Sequence, residues 1–259
     1  MPMFLFYRLL LAHVIADFPL QTKKIFKEKA NTEWGVLIHT LIVLILSILF
    51  SFPYLRDPKV ITILLVIFLS HTVIDKLKME YSKKTKNQSI RILLLDQVLH
   101  IAIIAALTFN FTESYLLSSP FNNAFLNYLI HLYNNDIFII SLIGYIASVF
   151  FIPILLIFVK EEYISYESQK LNKQKLSKRK ITNIKIPANQ ILDKFYRLLL
   201  TFSAQYLDDK YVIVIFLCFV IVSLIPYQIS ADRTEKVYNL KRIINTSLAI
   251  FIGIALKMV

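Results

Sequence analysis

The chain has 259 residues, of which 57% are hydrophobic and 18% are charged, and its formal net charge is +12. Soluble domains contain about 45–50% apolar and about 25% charged residues, so this composition excludes an ordinary soluble protein. With only 3 glycines and no alternating ten-residue strands, a membrane barrel is excluded, and the single cysteine excludes a disulfide framework. The sequence therefore predicts an all-α, polytopic helical membrane protein.

Long apolar segments recur along the chain, as bilayer-spanning helices require. We predict eight spans. The sixth is the weakest and has an interfacial helix as its alternative, because polar residues crowd its ends, namely Asp193, Lys194, Arg197 and Gln205. We expect Pro19 to end the first helix just after Asp17. In chain order the predicted spans are Met3–Leu20, Gly35–Phe52, Lys59–Leu77, Ser89–Phe109, Asp136–Val159, Asn189–Tyr206, Tyr211–Ile229 and Leu240–Val259.

The loops between these spans differ in charge. Most of the 29 lysine and arginine residues fall in the odd-numbered loops, whereas the even-numbered loops hold only Arg56, Lys59 and Lys210. Because positively charged loops stay on the cytoplasmic side, we expect the odd-numbered loops in the cytoplasm and both termini outside. The same rule accounts for the net charge, so we expect the lipid bilayer as partner and no nucleic acid.

Two loops have a character of their own. In Phe111–Asn135, apolar residues recur at helical spacing opposite asparagines, which predicts an interfacial helix on the outer face. Glu161–Pro187 carries a run of lysines and predicts a solvated linker that touches anionic lipid headgroups. The chain thus divides into a four-helix module (1–110), the interfacial helix with the fifth span (111–160), the basic linker (161–188) and a three-helix part (189–259).

Histidine and aspartate recur four residues apart in three of the first four spans. The pairs are His13 with Asp17, His71 with Asp75, and Asp96 with His100. A spacing of four places both side chains on one face of a helix. Ionisable groups inside a span are costly and usually mark a working site in the interior of the bundle. Because successive spans alternate in direction, all three pairs, and His39 near the start of the second span, fall in the cytoplasmic half of the bilayer.

These residue types at matched depth indicate a metal site. Imidazoles and carboxylates suit Zn, Mn, Fe or Ni, and seven candidates exceed the needs of one tetrahedral ion, so either two ions bind or some residues orient the ligands. Our first choice of metal ligands is His13, His71, Asp75, Asp96 and His100. Asp17 and His39 are then expected to act as catalytic acid/base groups or to orient the ligands, with Gln21, Gln97 and Lys76 in support.

Three functions remain open at this point. The first is metal-dependent hydrolysis, in which the ion activates a water that attacks a lipid-linked or phosphate-bearing substrate. The second is a cation or proton-coupled transporter, because histidines and aspartates along one wall can relay protons. The third is a structural or partner subunit whose buried His–Asp hydrogen bonds only hold the helices together.

The residues around these pairs resemble a known family. The quoted segments are Leu10–Gln21 (LLAHVIADFPLQ), His39, Ser70–Asp75 (SHTVID) and Leu95–His100 (LDQVLH). They are similar to the bacterial membrane-protein family of domain of unknown function (DUF) 3307, over residues 1 to about 105. The resemblance implies a bacterial inner-membrane location and a role for these His and Asp positions, without an established activity. A looser similarity to membrane-bound metal-dependent hydrolases favours an enzyme.

Overall fold

The computed structural model describes residues 4–85, 89–111, 114–118, 123–159, 162, 190–208 and 233–258. Every regular element among these residues is helical, which confirms the all-α class. The chain forms two compact units, Met1–Ile146 and Ala147–Val259. The first unit extends beyond the predicted four-helix module. It contains α1 (Phe4–Asp17), α2 (Lys23–Asn31), α3 (Glu33–Phe50), α4 (Pro58–Thr85), α5 (Ile90–Thr108), α6 (Ala124–Asn134) and α7 (Asp136–Ile146).

Four helices are long and apolar enough to cross a membrane. They are Glu33–Phe50, Pro58–Lys84, Ile90–Thr108 and Asp136–Val159, and they correspond to the second to fifth predicted spans. At most 33% of each apolar window is buried, so side chains such as Ile45, Leu69 and Val98 face outward. Apolar surface of this extent requires an apolar solvent or partner, and these helices therefore indicate a membrane protein.

The first helix is buried among its neighbours. α1 packs against α3, α5 and α7, and Arg8, His13 and Asp17 are buried on it together with most of its apolar residues. It has 14 residues and ends at Asp17, two positions before Pro19, as expected from the proline. Polar groups on α1 therefore meet protein rather than lipid. An apolar core adjoins it, formed by Leu5, Leu9, Tyr54, Val60, Ile63, Leu64, Ile67 and Ile104.

A short helix, α2, occupies what we expected to be a charged loop between α1 and α3. The Thr22 hydroxyl caps its first turn, and Thr32 joins it to α3 by accepting a hydrogen bond from the N–H of Gly35. A Cβ at Gly35 would lie 2.1 Å from the carbonyl carbon of Glu28 and 2.3 Å from the nitrogen of Lys29. Glycine therefore lets α2 and α3 pack backbone to backbone, and this contact fixes the position of Lys29.

The segment Phe111–Asn135 contains α6, in agreement with its predicted helical spacing. None of the residues of α6 is buried, and Phe125 is among its exposed apolar side chains. Its location at a membrane surface stays a prediction. At the junction of α6 and α7, the buried Arg8 forms an ion pair with Asp136 and donates a hydrogen bond to the carbonyl oxygen of Tyr133. This contact holds α1 against the start of α7.

The second unit contains a π-helix (Ala147–Phe151), α8 (Gln190–Tyr206) and α9 (Arg233–Lys257). An apolar cluster joins α8 to α9, formed by Leu200, Ala204, Ala249 and Ile250. α8 has 17 residues, and the apolar part of α9 is Thr246–Lys257, so the sixth and eighth spans stay predictions. The seventh predicted span and nearly all of the basic linker lie outside the described residues.

Candidate functional site

The seven predicted His and Asp side chains converge inside the first unit. Each is at most 5% exposed. We call them the His/Asp cluster: His13 and Asp17 from α1, His39 from α3, His71 and Asp75 from α4, and Asp96 and His100 from α5. Four neighbouring helices thus deliver imidazoles and carboxylates to one buried region, as expected from the helical spacing and the alternating helix directions.

Four donor atoms of the cluster, which we call the four-donor set, have five short mutual separations. Nε2 of His39 lies 3.2 Å from Oδ1 of Asp17 and 3.4 Å from Nε2 of His71. Oδ2 of Asp75 lies 3.5 Å from Nε2 of His39 and 3.4 Å from Nε2 of His71. Nε2 of His71 lies 3.6 Å from Oδ1 of Asp17. Donors that surround one ion tetrahedrally at about 2.1 Å are about 3.4 Å apart, and each of these five separations is close to that value. Asp17, His39 and His71 offer atoms that all lie within 4.8 Å of one another.

A second group of donors adjoins the first. Atoms of His13, Asp17 and His100 lie within 4.8 Å of one another. Nδ1 of His100 donates a hydrogen bond to the carbonyl oxygen of Asp96 at 2.7 Å, which leaves Nε2 as the lone-pair nitrogen of the neutral ring. This Nε2 and both ring nitrogens of His13 are buried without a hydrogen-bond partner among the described residues. Asp17 reaches both groups, because its Oδ1 faces His39 and its Oδ2 lies 3.9 Å from Nε2 of His13.

Two lysines lie against the carboxylates of the cluster. Nζ of Lys29, on α2, is 2.6 Å from Oδ2 of Asp75, and Lys29 is only 2% exposed. Nζ of Lys78, on α4, donates to Oδ2 of Asp96 at 2.6 Å. With neutral imidazoles, three aspartates and two lysines leave this interior with one net negative charge. An uncompensated buried charge is costly, so the interior favours a further cation.

Of the three predicted supporting residues, Gln97 is the one that the structure brings into the cluster. Its Nε2 donates to Oδ2 of Asp17 at 3.0 Å and to Oδ2 of Asp96 at 3.1 Å, so it holds the two carboxylates in place. Lys76 lies elsewhere: its Nζ pairs with Glu33 at 2.8 Å, and 49% of the lysine side chain is exposed. Gln21 is half-buried just after α1 and takes no part in these hydrogen bonds.

Lys29 belongs to the site although its sequence context suggested only a basic loop residue. The signal that could have identified it is local. Thr22 and Thr32 flank a nine-residue segment, as capping residues flank a short helix. Within that helix Ile25 and Lys29 are four residues apart and share the face that turns away from solvent.

The motifs of the cluster correspond to a known family. Residues 5–126 match the model of a family described as "Protein of unknown function (DUF3307)", and this range contains the whole His/Asp cluster, Lys29, Lys78 and Gln97. A search of curated proteins and a search of solved structures found no match. The resemblance of the motifs to this family is therefore confirmed over residues 5–126.

Proposed function

We propose that the first unit binds a divalent metal ion through Asp17, His39, His71 and Asp75. The observation that carries this proposal is the set of five donor separations between 3.2 and 3.6 Å. Hydrogen bonds alone satisfy these four atoms poorly. Nε2 of His39 and Nε2 of His71 face each other and the same two carboxylates, and a neutral imidazole has only one N–H to donate. An ion satisfies both lone pairs. Two nitrogens and two oxygens suit Zn, Mn, Fe or Ni.

This proposal changes part of the role assignment made from sequence. The separations favour Asp17 and His39 as ligands rather than as acid/base groups. Asp96 already accepts hydrogen bonds at Oδ2, which favours proton transfer over coordination. His13 and His100 keep their assignment as ligands, with Asp17 as a bridge to a second position. That position has three donors, which leaves a place for water.

We infer that the reaction is hydrolysis of a lipid-linked or phosphate-bearing substrate. A divalent ion held by these residues would lower the pKa of a bound water and so supply hydroxide near neutral pH. Oδ1 of Asp96 can accept the proton, since it is buried without a hydrogen-bond partner among the described residues and lies 3.8 Å from Nδ1 of His100. The apolar outer surface of the four long helices favours a substrate that itself resides in the membrane.

We propose that the protein crosses a bacterial inner membrane eight times, with both termini outside and the His/Asp cluster in the cytoplasmic half. The four membrane-length helices support the second to fifth spans. Hydropathy and the bias of basic residues toward odd-numbered loops support the rest. Reporter domains fused to the two termini test the orientation, and a reporter that is active in the cytoplasm at either end would contradict it.

The metal content of the purified protein tests the proposed site. We expect the wild-type chain, offered Zn, Mn, Fe or Ni, to retain at least one ion, and the His71→Ala variant to lose it because one donor of the four-donor set is gone. The matched control is His131→Ala, since His131 is exposed on α6 and outside the cluster. Equal metal content in wild type and His71→Ala, or none in wild type, would overturn the site.

Hydrolysis is tested with the metal-loaded protein in lipid nanodiscs. We expect release of phosphate or of the lipid moiety from a membrane phosphate ester. General-base catalysis typically contributes about 10²–10⁴-fold, so Asp96→Asn should keep the metal and lose at least about 100-fold in rate. If that variant retains both metal and full rate, Asp96 does not take the proton. If no membrane phosphate ester is cleaved by metal-loaded wild type, the hydrolytic proposal fails.

A cation or proton-coupled transporter is the second candidate. The observation in its favour is the proximity of four imidazoles. Ring centroids lie 5.4 Å apart for His39 and His71, 4.0 Å for His71 and His100, and 5.0 Å for His100 and His13. His13 also lies 5.4 Å from His71. Rows of ionisable groups in a bundle can relay protons. Flux across liposomes without hydrolysis, lost in His71→Ala and kept in His131→Ala, would favour transport. Unchanged metal content, flux and rate in both variants would leave the purely structural role.

A further inference from the structure

We propose that Lys29 and Lys78 form a binding pair for a phosphoryl group, and that metal binding releases Lys29 from Asp75 for this purpose. The proposal rests on the metal site proposed above and names the chemical class that its substrate presents. It follows from the shared use of one oxygen atom, the charge of the interior, and the placement of the two ammonium groups.

The oxygen that lies against Lys29 belongs to the four-donor set. Oδ2 of Asp75 lies 2.6 Å from Nζ of Lys29, and 3.4 and 3.5 Å from Nε2 of His71 and Nε2 of His39. A divalent ion carries twice the charge of an ammonium and approaches this oxygen more closely. The ion and Lys29 therefore compete for Asp75, and coordination weakens the ion pair.

The charge of the interior changes sign when an ion binds. Three aspartates and two lysines leave one net negative charge without an ion, and one divalent ion leaves one net positive charge. The residues of the cluster are buried, so an excess positive charge among them calls for an anion. With an ion bound, hydroxide would supply that charge in the absence of substrate, and an anionic substrate group would supply it in the complex.

A phosphoryl group fits three cations better than a carboxylate does. It offers three terminal oxygens, one each for the ion, Lys29 and Lys78, whereas a carboxylate offers two. Lys78 reaches the cluster from α4 and Lys29 from α2, so their ammonium groups approach its carboxylates from different helices. The backbone contact at Gly35 fixes α2 against α3, so in this proposal the exchange of partners by Lys29 takes place through its flexible four-carbon stem and not through a shift of the helix.

Lys76 provides a matched control on the same helix as Lys78. Its ammonium pairs with the exposed Glu33 instead of a carboxylate of the cluster. Replacing Lys29 or Lys76 by methionine removes one positive charge and keeps a side chain of similar length. A difference between these two variants therefore reports the position of the charge, and Lys29→Arg keeps the charge at the site if Lys29→Met fails to fold.

The experiment measures Mn²⁺ binding by the amplitude of the free-ion EPR signal, with the full chain in phosphatidylcholine nanodiscs. Couplings between ligands are commonly about 5–150-fold, so we expect inorganic phosphate to tighten Mn²⁺ binding by about tenfold. Lys29→Met should bind Mn²⁺ at least about fivefold more tightly than wild type without phosphate, because the competing cation is gone, and phosphate should then change its affinity less than about twofold. Lys76→Met should behave as wild type, and Lys29→Arg should keep the phosphate effect.

A second arm replaces inorganic phosphate by phosphatidate within the nanodisc. If phosphatidate changes the Mn²⁺ affinity and inorganic phosphate does not, a lipid headgroup is the source of the phosphoryl group. If both anions change the Mn²⁺ affinity, the site is also open to water. If Mn²⁺ binds but neither anion changes its affinity, or if Lys29→Met and wild type respond equally, the phosphoryl pair is overturned while the metal site stands. If wild type binds no Mn²⁺ or other divalent ion, the metal site itself fails and the pair with it.

Discussion

Replacing Gly35 by alanine should dislodge Lys29 from the His/Asp cluster without changing any polar group. The added Cβ would lie 2.1 Å from the carbonyl carbon of Glu28, 2.3 Å from its oxygen and 2.3 Å from the nitrogen of Lys29. Ordinary contacts between such atoms are about 3.5 Å. All three neighbours are backbone atoms, so relief requires α2 to move away from α3 by roughly 1 Å or more. That movement withdraws the ammonium of Lys29 from Oδ2 of Asp75.

The size of the effect follows from the burial of this ion pair. Lys29 and Asp75 are 2% and 0% exposed, and removing one partner of such a pair costs about 3–5 kcal/mol because the other charge stays buried. Alanine stabilises a helix by about 1 kcal/mol relative to glycine, which offsets part of the loss. We therefore expect the free energy of unfolding to fall by about 2–4 kcal/mol.

Denaturant unfolding in detergent micelles, followed by circular dichroism, measures this loss. The matched control is Gly253→Ala in the second unit, where the Cβ would lie 2.4 Å from the carbonyl oxygen of Thr201. Gly253→Ala should destabilise the packing of α8 on α9 and leave metal binding unchanged. Gly35→Ala should bind Mn²⁺ more tightly than wild type, as we also expect for Lys29→Met. In the double variant Gly35→Ala/Lys29→Met, the two losses of unfolding free energy should not add, because both substitutions remove the same ion pair between Lys29 and Asp75. Wild-type stability in Gly35→Ala, or full additivity, would refute the reasoning.

Three further predictions concern the same unit. Arg8→Met should lower the free energy of unfolding by about 2–3 kcal/mol, measured by denaturant unfolding, because Asp136 loses its cation; adding Asp136→Asn should recover part of the loss. A chelator should lower the unfolding midpoint of wild type but not of His71→Ala, with a loss of about 2.7 kcal/mol if the ion was present at 100 times its Kd. Burial raises the pKa of the Tyr133 phenol, whose hydroxyl donates to the carbonyl oxygen of Phe50 at 2.8 Å. Because the unfolded chain then loses this proton at a lower pH than the folded chain, the free energy of unfolding should fall as the pH rises above about 10. Denaturant unfolding at several pH values should show a smaller fall in Tyr133→Phe.

The convergence of the His/Asp cluster could be predicted because it depends on helix geometry alone. A spacing of four residues fixes the face that His71 and Asp75 share, and the alternating direction of neighbouring helices fixes the depth at which His39 meets them. Neither argument needs knowledge of side-chain conformation. For the same reason the end of α1 at Asp17 could be predicted from Pro19, since the restriction that proline places on its neighbour is local.

The roles within the cluster could not be predicted in the same way. Depth and face do not determine which carboxylate oxygen approaches which imidazole nitrogen, so the short distance between Oδ1 of Asp17 and Nε2 of His39, on which the revised ligand proposal rests, could not be predicted. Lys29 was hidden for a different reason. A lysine next to a membrane span commonly extends to the interface, and the short α2 turns this one inward through a tertiary contact at Gly35. Lys76, which the sequence placed nearer to the site, faces Glu33 instead.

Several buried polar atoms of the His/Asp cluster lack a hydrogen-bond partner, which argues against a purely structural role. Buried polar groups in stable proteins nearly always have a hydrogen-bond partner, and each exception costs about 1–3 kcal/mol. Among the described residues, both ring nitrogens of His13, Nε2 of His100, and Oδ1 of Asp75 and of Asp96 have none. These atoms belong to one small region and are lone-pair donors or can become so. A network that served only to join helices would gain by closing these bonds or by using apolar residues. In a site that binds a cation and a water molecule, each of these atoms would gain a partner.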